Sequence, residues 1–120
     1  MNYQQVYQFC REHGIENWKN GYQSVRYHNK KETRRHFQSK GIIAFEIMKK
    51  GGSVLTEVDL GMGVADILWV EVKIVIELES RLTKKNLNWK RKQYKDWNLF
   101  VFDLKTTTID EILTKIGLKR

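Results

Sequence analysis

Apolar residues recur along this chain with two different periods, and the change of period marks out the elements. Over 3–12, Tyr3, Val6, Tyr7 and Cys10 fall at three- and four-residue spacing, the stripe of a short amphipathic helix that Gly14 stops. Residues 15–30 hold no period and read as a basic loop dotted with aromatics (Trp18, Tyr22, Arg26, Tyr27, His28, Lys30). A second helix starts at a cap, Asn29 or Thr33, and runs to about 49 before Gly51-Gly52, with Phe37, Ala44, Phe45 and Met48 as its stripe. The period then drops to two. Strands are expected over 53–60, 64–70 and 73–80, joined by Gly61-Met62-Gly63 and by a turn near Glu71-Val72. A strongly basic helix over 83–97, a strand over 99–104 and a helix over 108–116 complete the order α-α-β-β-β-α-β-α. Such an order gives an α/β or α+β domain, a mixed sheet of about four strands flanked by helices.

Strand side chains alternate between faces, so a register can be tested by asking whether it makes one face wholly apolar. Setting Val70 against Lys73 places Asp66 opposite Glu77 and Val64 opposite Glu79. The other face of that hairpin then collects Ala65, Ile67, Trp69, Ile74, Ile76 and Leu78. Adding the first strand with Leu60 opposite Ala65 brings Val54, Thr56 and Val58 to the apolar face, and Glu57 and Asp59 to the side of Asp66, Glu77 and Glu79. A slip by one residue would point these carboxylates into the core. The acids can be read as the solvated face of a half-buried sheet. However, directly opposed like charges destabilise a sheet, so Asp66 facing Glu77 calls for a cation. Hard carboxylate oxygens of this kind suit Mg²⁺ or Mn²⁺, with Asp66, Glu77 and Glu57 as the ligand candidates.

Composition sharpens that reading. The acidic hairpin sits in a chain whose formal net charge is +8, from 22 Lys plus Arg against 14 Asp plus Glu, and such an excess attracts polyanions, commonly nucleic acid. With 120 residues and 41% hydrophobic content the chain is expected to fold as one domain over 1–120, with 1–30 a helical and basic N-terminal extension. The single Cys10 excludes an internal disulfide and a cysteine-based zinc site. No apolar run approaches the ~20 residues of a membrane span, and no signal-peptide core opens the chain, so a cytoplasmic protein without membrane contact is expected.

With these residues in place, the chain resembles the PD-(D/E)XK nuclease superfamily, which includes archaeal Holliday-junction resolvases and many restriction enzymes. Val64-Ala65-Asp66-Ile67-Leu68 looks like the family's first motif and Ile76-Glu77-Leu78-Glu79 like its second, and the likeness covers about 31–104. Ala65 replaces the proline before the aspartate, and Glu79 stands at the position of the lysine, as an acid does in some restriction enzymes of the superfamily. A literal Glu-x-Lys at Glu71-Val72-Lys73 falls in the expected turn and is set aside. The family's first helix usually offers a glutamate, for which Glu46 lies late in the helix; His36 and Lys40, one turn apart, resemble instead the His-x-x-x-Lys pair of a branch that includes competence-type proteins. The resemblance implies a restriction-endonuclease-like core and a Mg²⁺-dependent (or Mn²⁺-dependent) endodeoxyribonuclease. Asp66, Glu77 and Glu79 would be its catalytic acids, assisted by Lys40 and His36. Taken alone, Lys40 reads equally as a solvated lysine and His36 as a packing or exposed histidine.

Two basic clusters could follow phosphates: Arg34, Arg35 and Lys40 with Lys30 and Lys31, and Lys84, Lys85, Lys90, Arg91, Lys92 and Lys95. Arg81, just after the acidic strand, is placed to touch substrate, and Trp89 and Tyr94 are candidates either for stacking on bases or for core packing. No base-reading motif is present, which points to recognition of backbone or shape, on branched, duplex or single-stranded DNA. Cutting two strands would call for a homodimer, by analogy with resolvases. The rival expectations are a nucleic-acid-binding protein on the same scaffold without cleavage, and a protein-interaction domain whose acids only solvate the sheet.

Overall fold

In the computed structural model, residues 1–29 and 31–120 are described; Lys30, assigned from sequence to the first basic cluster, lies outside the described residues. The elements follow the expected order: helices α1 (Tyr3–Glu12) and α2 (Arg34–Lys49), strands β1 (Val54–Asp59), β2 (Val64–Trp69) and β3 (Ile74–Glu79), helix α3 (Lys84–Gln93), strand β4 (Asn98–Asp103) and helix α4 (Ile109–Lys115). One turn of 3-10 helix, Trp18–Gly21, interrupts the stretch that shows no period. The strands form one sheet in the order β1-β2-β3-β4, antiparallel except for the parallel pair β3–β4, which α3 connects as the crossover such a pair requires. This is an α+β fold with a mixed sheet flanked by helices. Among the described residues no helix is long and apolar enough to cross a membrane.

Local chemistry fixes the helix starts. Asn2 and Gln5 form a capping box on α1, Thr33 accepts from the His36 N–H at the head of α2, and Thr108 with Glu111 boxes α4. Both faces of the sheet are covered. On one, Val54, Ile67 and Ile76 pack with Ile43, Ala44 and Ile47 of α2 and with Ile112 and Leu113 of α4. On the other, Leu55, Leu68 and Val75 pack with Val6, Phe9 and Cys10 of α1, with Ile15 and Trp18, and with Tyr94 just after α3. The N-terminal segment is therefore a layer of the domain rather than an appendage. Gly21 is tied to this packing, because a Cβ there would lie 2.0 Å from the Thr56 carbonyl oxygen.

Two helical stripes differ in phase from expectation. On α1 the buried residues are Val6, Phe9 and Cys10, while Tyr3 and Tyr7 stay exposed and lie edge-on or tilted against Trp18. On α2 they are Ile43, Ala44 and Ile47 with Lys40 on the same face, whereas Phe45 is 58% exposed. Apolar residues occur almost all round α2, so periodicity alone does not fix its phase. Helix α3 also ends four residues before the expected limit, where the Trp97 N–H closes a turn onto the Tyr94 carbonyl.

The β2–β3 register is the expected one, with Ile67 opposite Ile76 and Trp69 opposite Ile74. The β1–β2 register is displaced by two residues, with Val58 rather than Leu60 opposite Ala65. The cause is the turn: Leu60 donates to the Gly63 carbonyl, so β1 stops at Asp59. An even shift keeps the faces, but the faces themselves change within the strands. Glu57 adopts a left-handed φ of 48° in the middle of β1, and the ladder skips from Thr56 to Val58. Val58 and Ala65 consequently join Leu55 and Leu68 on the α1 side instead of the Val54–Ile67 face. Such a backbone costs on the order of 1–3 kcal/mol for a residue with a Cβ and persists where surroundings fix it.

Candidate active site

The face change places the acids. Strict alternation would carry Glu57 toward α1 with Leu55; the left-handed turn lets its carboxylate meet Lys40 of α2 instead, at 3.1 Å. Backbone pairing of β2 with β3 stops at Ile67–Ile76, and beyond it the carboxylates take the place of the ladder. The Asp66 N–H donates to Glu77 Oε2 and the Leu78 N–H to Asp66 Oδ2, both at 2.8 Å. The splayed strand ends thus remain satisfied, and they open a cleft of about 550 Å³ lined by Glu32, Glu57, Asp66, Glu77 and Glu79. Asp59, expected among these acids, is not there; it is exposed and accepts from the Gly61 N–H in the turn. The set-aside Glu71 also lies apart, with its carboxylate on the Ser53 N–H.

Each acid is met by a cation from a helix. His36 donates from one ring nitrogen toward the Leu78 carbonyl at 2.9 Å, with Asp66 Oδ2 3.4 Å away, and its other nitrogen contacts Glu32. Lys40 is completely buried and binds Glu32 at 2.9 Å and Glu57. Lys90 of α3 spans Glu77 at 3.0 Å and Glu79 at 2.9 Å. Glu32 was not foreseen. It precedes the Thr33 cap, whereas Glu46 lies inside the helix; Glu32, His36 and Lys40 nevertheless stand at i, i+4 and i+8, which is a readable signal for one helix face. Lys90, grouped from sequence with the phosphate-binding lysines, turns inward to the acids. Arg34, Arg35, Lys84, Lys85 and Lys92 are exposed, and Arg81, also exposed, sits on the rim of the cleft.

Burial and mutual repulsion set the charge state. Burial, then the neighbouring Asp66 charge, pushes Glu77 up to about 7 and raises Glu57 as well. Burial also opposes ionisation of Asp66, but His36 and the Leu78 N–H outweigh it and hold Asp66 below the usual carboxylate range. Burial works against a charged His36 too, and the Asp66 and Glu32 carboxylates overcome it, carrying the imidazole up to about 9. Among the described residues, five cleft carboxylates face three direct partners, His36, Lys40 and Lys90, with His28 3.4 Å from Glu57 at the exposed edge.

A raised imidazole pKa stabilises the fold in full below its unfolded value, near 6.5, and that stability is lost as pH rises through about 9. In EDTA, stability measured by urea unfolding should therefore fall by about 3 kcal/mol between pH 6.5 and 9.5, and His36→Gln should flatten that slope. An equally steep slope in the variant would remove His36 as its source.

Whether these residues suit a divalent ion follows from the donor set. Asp66, Glu77 and the Leu78 carbonyl are hard oxygens, and the last is brought beside Asp66, since one His36 nitrogen lies within 3.4 Å of both. Among the described residues no three His, Cys, Asp or Glu side chains already stand in a metal-binding arrangement. The fit is therefore a pair of carboxylates plus a carbonyl at a place now bridged by the His36 side chain. No family model matches the chain, and neither a curated protein nor a solved structure matches it.

Proposed function

We propose that this protein is a metal-dependent nuclease that hydrolyses phosphodiester bonds in DNA, in the manner of the PD-(D/E)XK superfamily that its motifs resemble. The observation that carries the reading is the break in the sheet, where Asp66 and Glu77 each accept an N–H from the other's strand and line a cleft, with the Leu78 carbonyl beside Asp66. Asp66, Glu77 and Leu78 would hold Mg²⁺ or Mn²⁺, which supplies charge neutralisation at the phosphate and a more acidic bound water. Lys90 takes the place of the lysine that Glu79 displaces in the motif: its ammonium, fixed between Glu77 and Glu79, is set to hold a phosphate oxygen or orient water beside them. Lys40 has a different task. It is wholly buried and does not line the cleft, so it supports Glu32 and Glu57 from beneath. Arg81 and Lys31 on the rim draw in the phosphate backbone.

The second reading, nucleic-acid binding without cleavage, is favoured by the complete pairing of the inner acids with His36, Lys40 and Lys90. One experiment separates the two: branched, duplex and single-stranded DNA are incubated with the protein in Mg²⁺, Mn²⁺ or EDTA. The nuclease predicts cutting with metal and none in EDTA. Salt-sensitive binding without cutting in any metal would establish the second reading.

A further inference from the structure

Helix α3 turns Lys90 into the cleft, half-buries Leu87 and Gln93 on that side and leaves its other side exposed. On that surface stands Trp89, 66% exposed and the most exposed of the large apolar side chains. Tyr94, its partner among the sequence candidates, is in the core at 1% exposure, so the two aromatics have separate roles. Around Trp89 lie Lys84, Lys85, Asn86, Asn88 and Lys92, lining a groove of about 520 Å³. Lys85 and Lys92 flank the ring at four and three residues' distance, one turn to either side. Residues 80–95 contain seven Lys and Arg and no acid.

We infer that Trp89 is a stacking platform for an unpaired base of single-stranded nucleic acid, with the lysines around it on the flanking phosphates. An indole in water among ammonium groups is unfavourable for an apolar protein partner, and a second copy of a +8 chain would bring like charge to like. Duplex phosphates would satisfy the lysines and leave the ring idle, because paired bases keep their faces against one another. A base freed from its neighbours offers that face, and the phosphates on either side meet the cations. The step from Trp89 to Lys90 is about a quarter turn of helix, so a base stacked here lies beside the cleft rather than in it. This inference rests on nucleic acid being the ligand of the cleft, and it names the form: a flap, bulge or single strand beside the cut position.

The test is binding, performed in EDTA so that cleavage plays no part, with a single-stranded oligonucleotide and a blunt duplex of equal length. Trp89→Ala should weaken single-strand binding about tenfold and duplex binding by less than about twofold, with Trp89→Phe retaining most of the affinity. Tryptophan fluorescence of the parent should be quenched by the single strand, and Trp89→Phe should lose most of that quenching. The variants fold, as circular dichroism would verify, because the ring supports nothing. Equal loss on both ligands, no loss on either, or failure of the parent to bind nucleic acid would each overturn the platform. Selective loss in a protein that never cuts DNA would leave the platform standing and remove only the nuclease.

Discussion

Replacing Lys40 by methionine lowers the stability of the protein by about 3–5 kcal/mol, which for a chain of this size is on the order of 10–20 °C in Tm. Methionine fills the space of the side chain, so little of this is cavity. The cause is charge. Lys40 is 0% exposed, and its partners Glu32 and Glu57 are 1% and 6% exposed, so its removal takes the ammonium from two nearly buried carboxylates and leaves Glu57 with only His28 at the cleft edge. Burial already raises Glu57 with Lys40 present. Without the ammonium, the folded pKa of Glu57 rises further above its unfolded value, and the penalty applies above that value and is relieved as pH falls through it. The parent behaves in the opposite sense at Glu32, where burial is outweighed by the His28 N–H, Lys40 and His36, which hold the carboxyl low; that stability is lost on acidification. The gap between parent and variant should therefore narrow at pH 5 relative to pH 7.5. Adding Glu57→Gln to the variant should recover part of the loss. Urea unfolding at the two pH values measures all of this, and a Lys40→Met protein within about 1 kcal/mol of the parent at pH 7.5 would show that the triad is not a buried charge network.

How far the sequence disclosed this site depends on the range over which each feature is determined. The β2–β3 pairing was legible because alternation over eight residues, Ile67 to Val70 and Lys73 to Ile76, allows one register that keeps charge from the core. The offset of β1 was not, since its turn closes through the Leu60–Gly63 hydrogen bond and any even shift satisfies the same pattern. Nor was the exchange of faces at Glu57: a glutamate with φ of 48° carries no local mark, and its conformation answers to Lys40, 17 residues away. Lys90 illustrates the same limit. Seven cations lie between β3 and β4, and only the path of α3 selects the one that meets Glu77 and Glu79. Alternation brought Asp66 and Glu77 to one side of the sheet, with a solvated face and a cation site as the two readings. In the structure they are held in the gap of a broken ladder, each accepting a backbone N–H from the other's strand. That difference matters for chemistry, because groups fixed by main-chain donors are held at a set position, whereas solvated side chains are not.

In the proposed nuclease, Asp66→Asn should reduce metal-dependent cleavage by about 10³-fold or more, the consequence of losing several kcal/mol of charge stabilisation at one proposed ligand. The substitution is close to isosteric, and the amide oxygen can still accept from the Leu78 N–H that now reaches Asp66 Oδ2. What disappears is the negative charge. His36 thereby loses the foremost of the groups that raise it, so its pKa should fall from about 9 toward the ordinary range, and the alkaline loss of stability should shrink as it does in His36→Gln. Glu77, relieved of the adjacent charge that helps burial hold it near 7, should ionise at lower pH. These four changes share one origin and are read separately: cleavage by gel assay with Mg²⁺, His36 and Glu77 by NMR titration in EDTA, and stability by urea unfolding. DNA binding in EDTA should be unchanged or slightly tighter, since a negative charge facing phosphate has gone. Lost cleavage with binding and fold intact places Asp66 in the chemistry. Cleavage that survives at more than about one-tenth of the parent rate would exclude it as a metal ligand, while the shift of His36 would still report the contact between them.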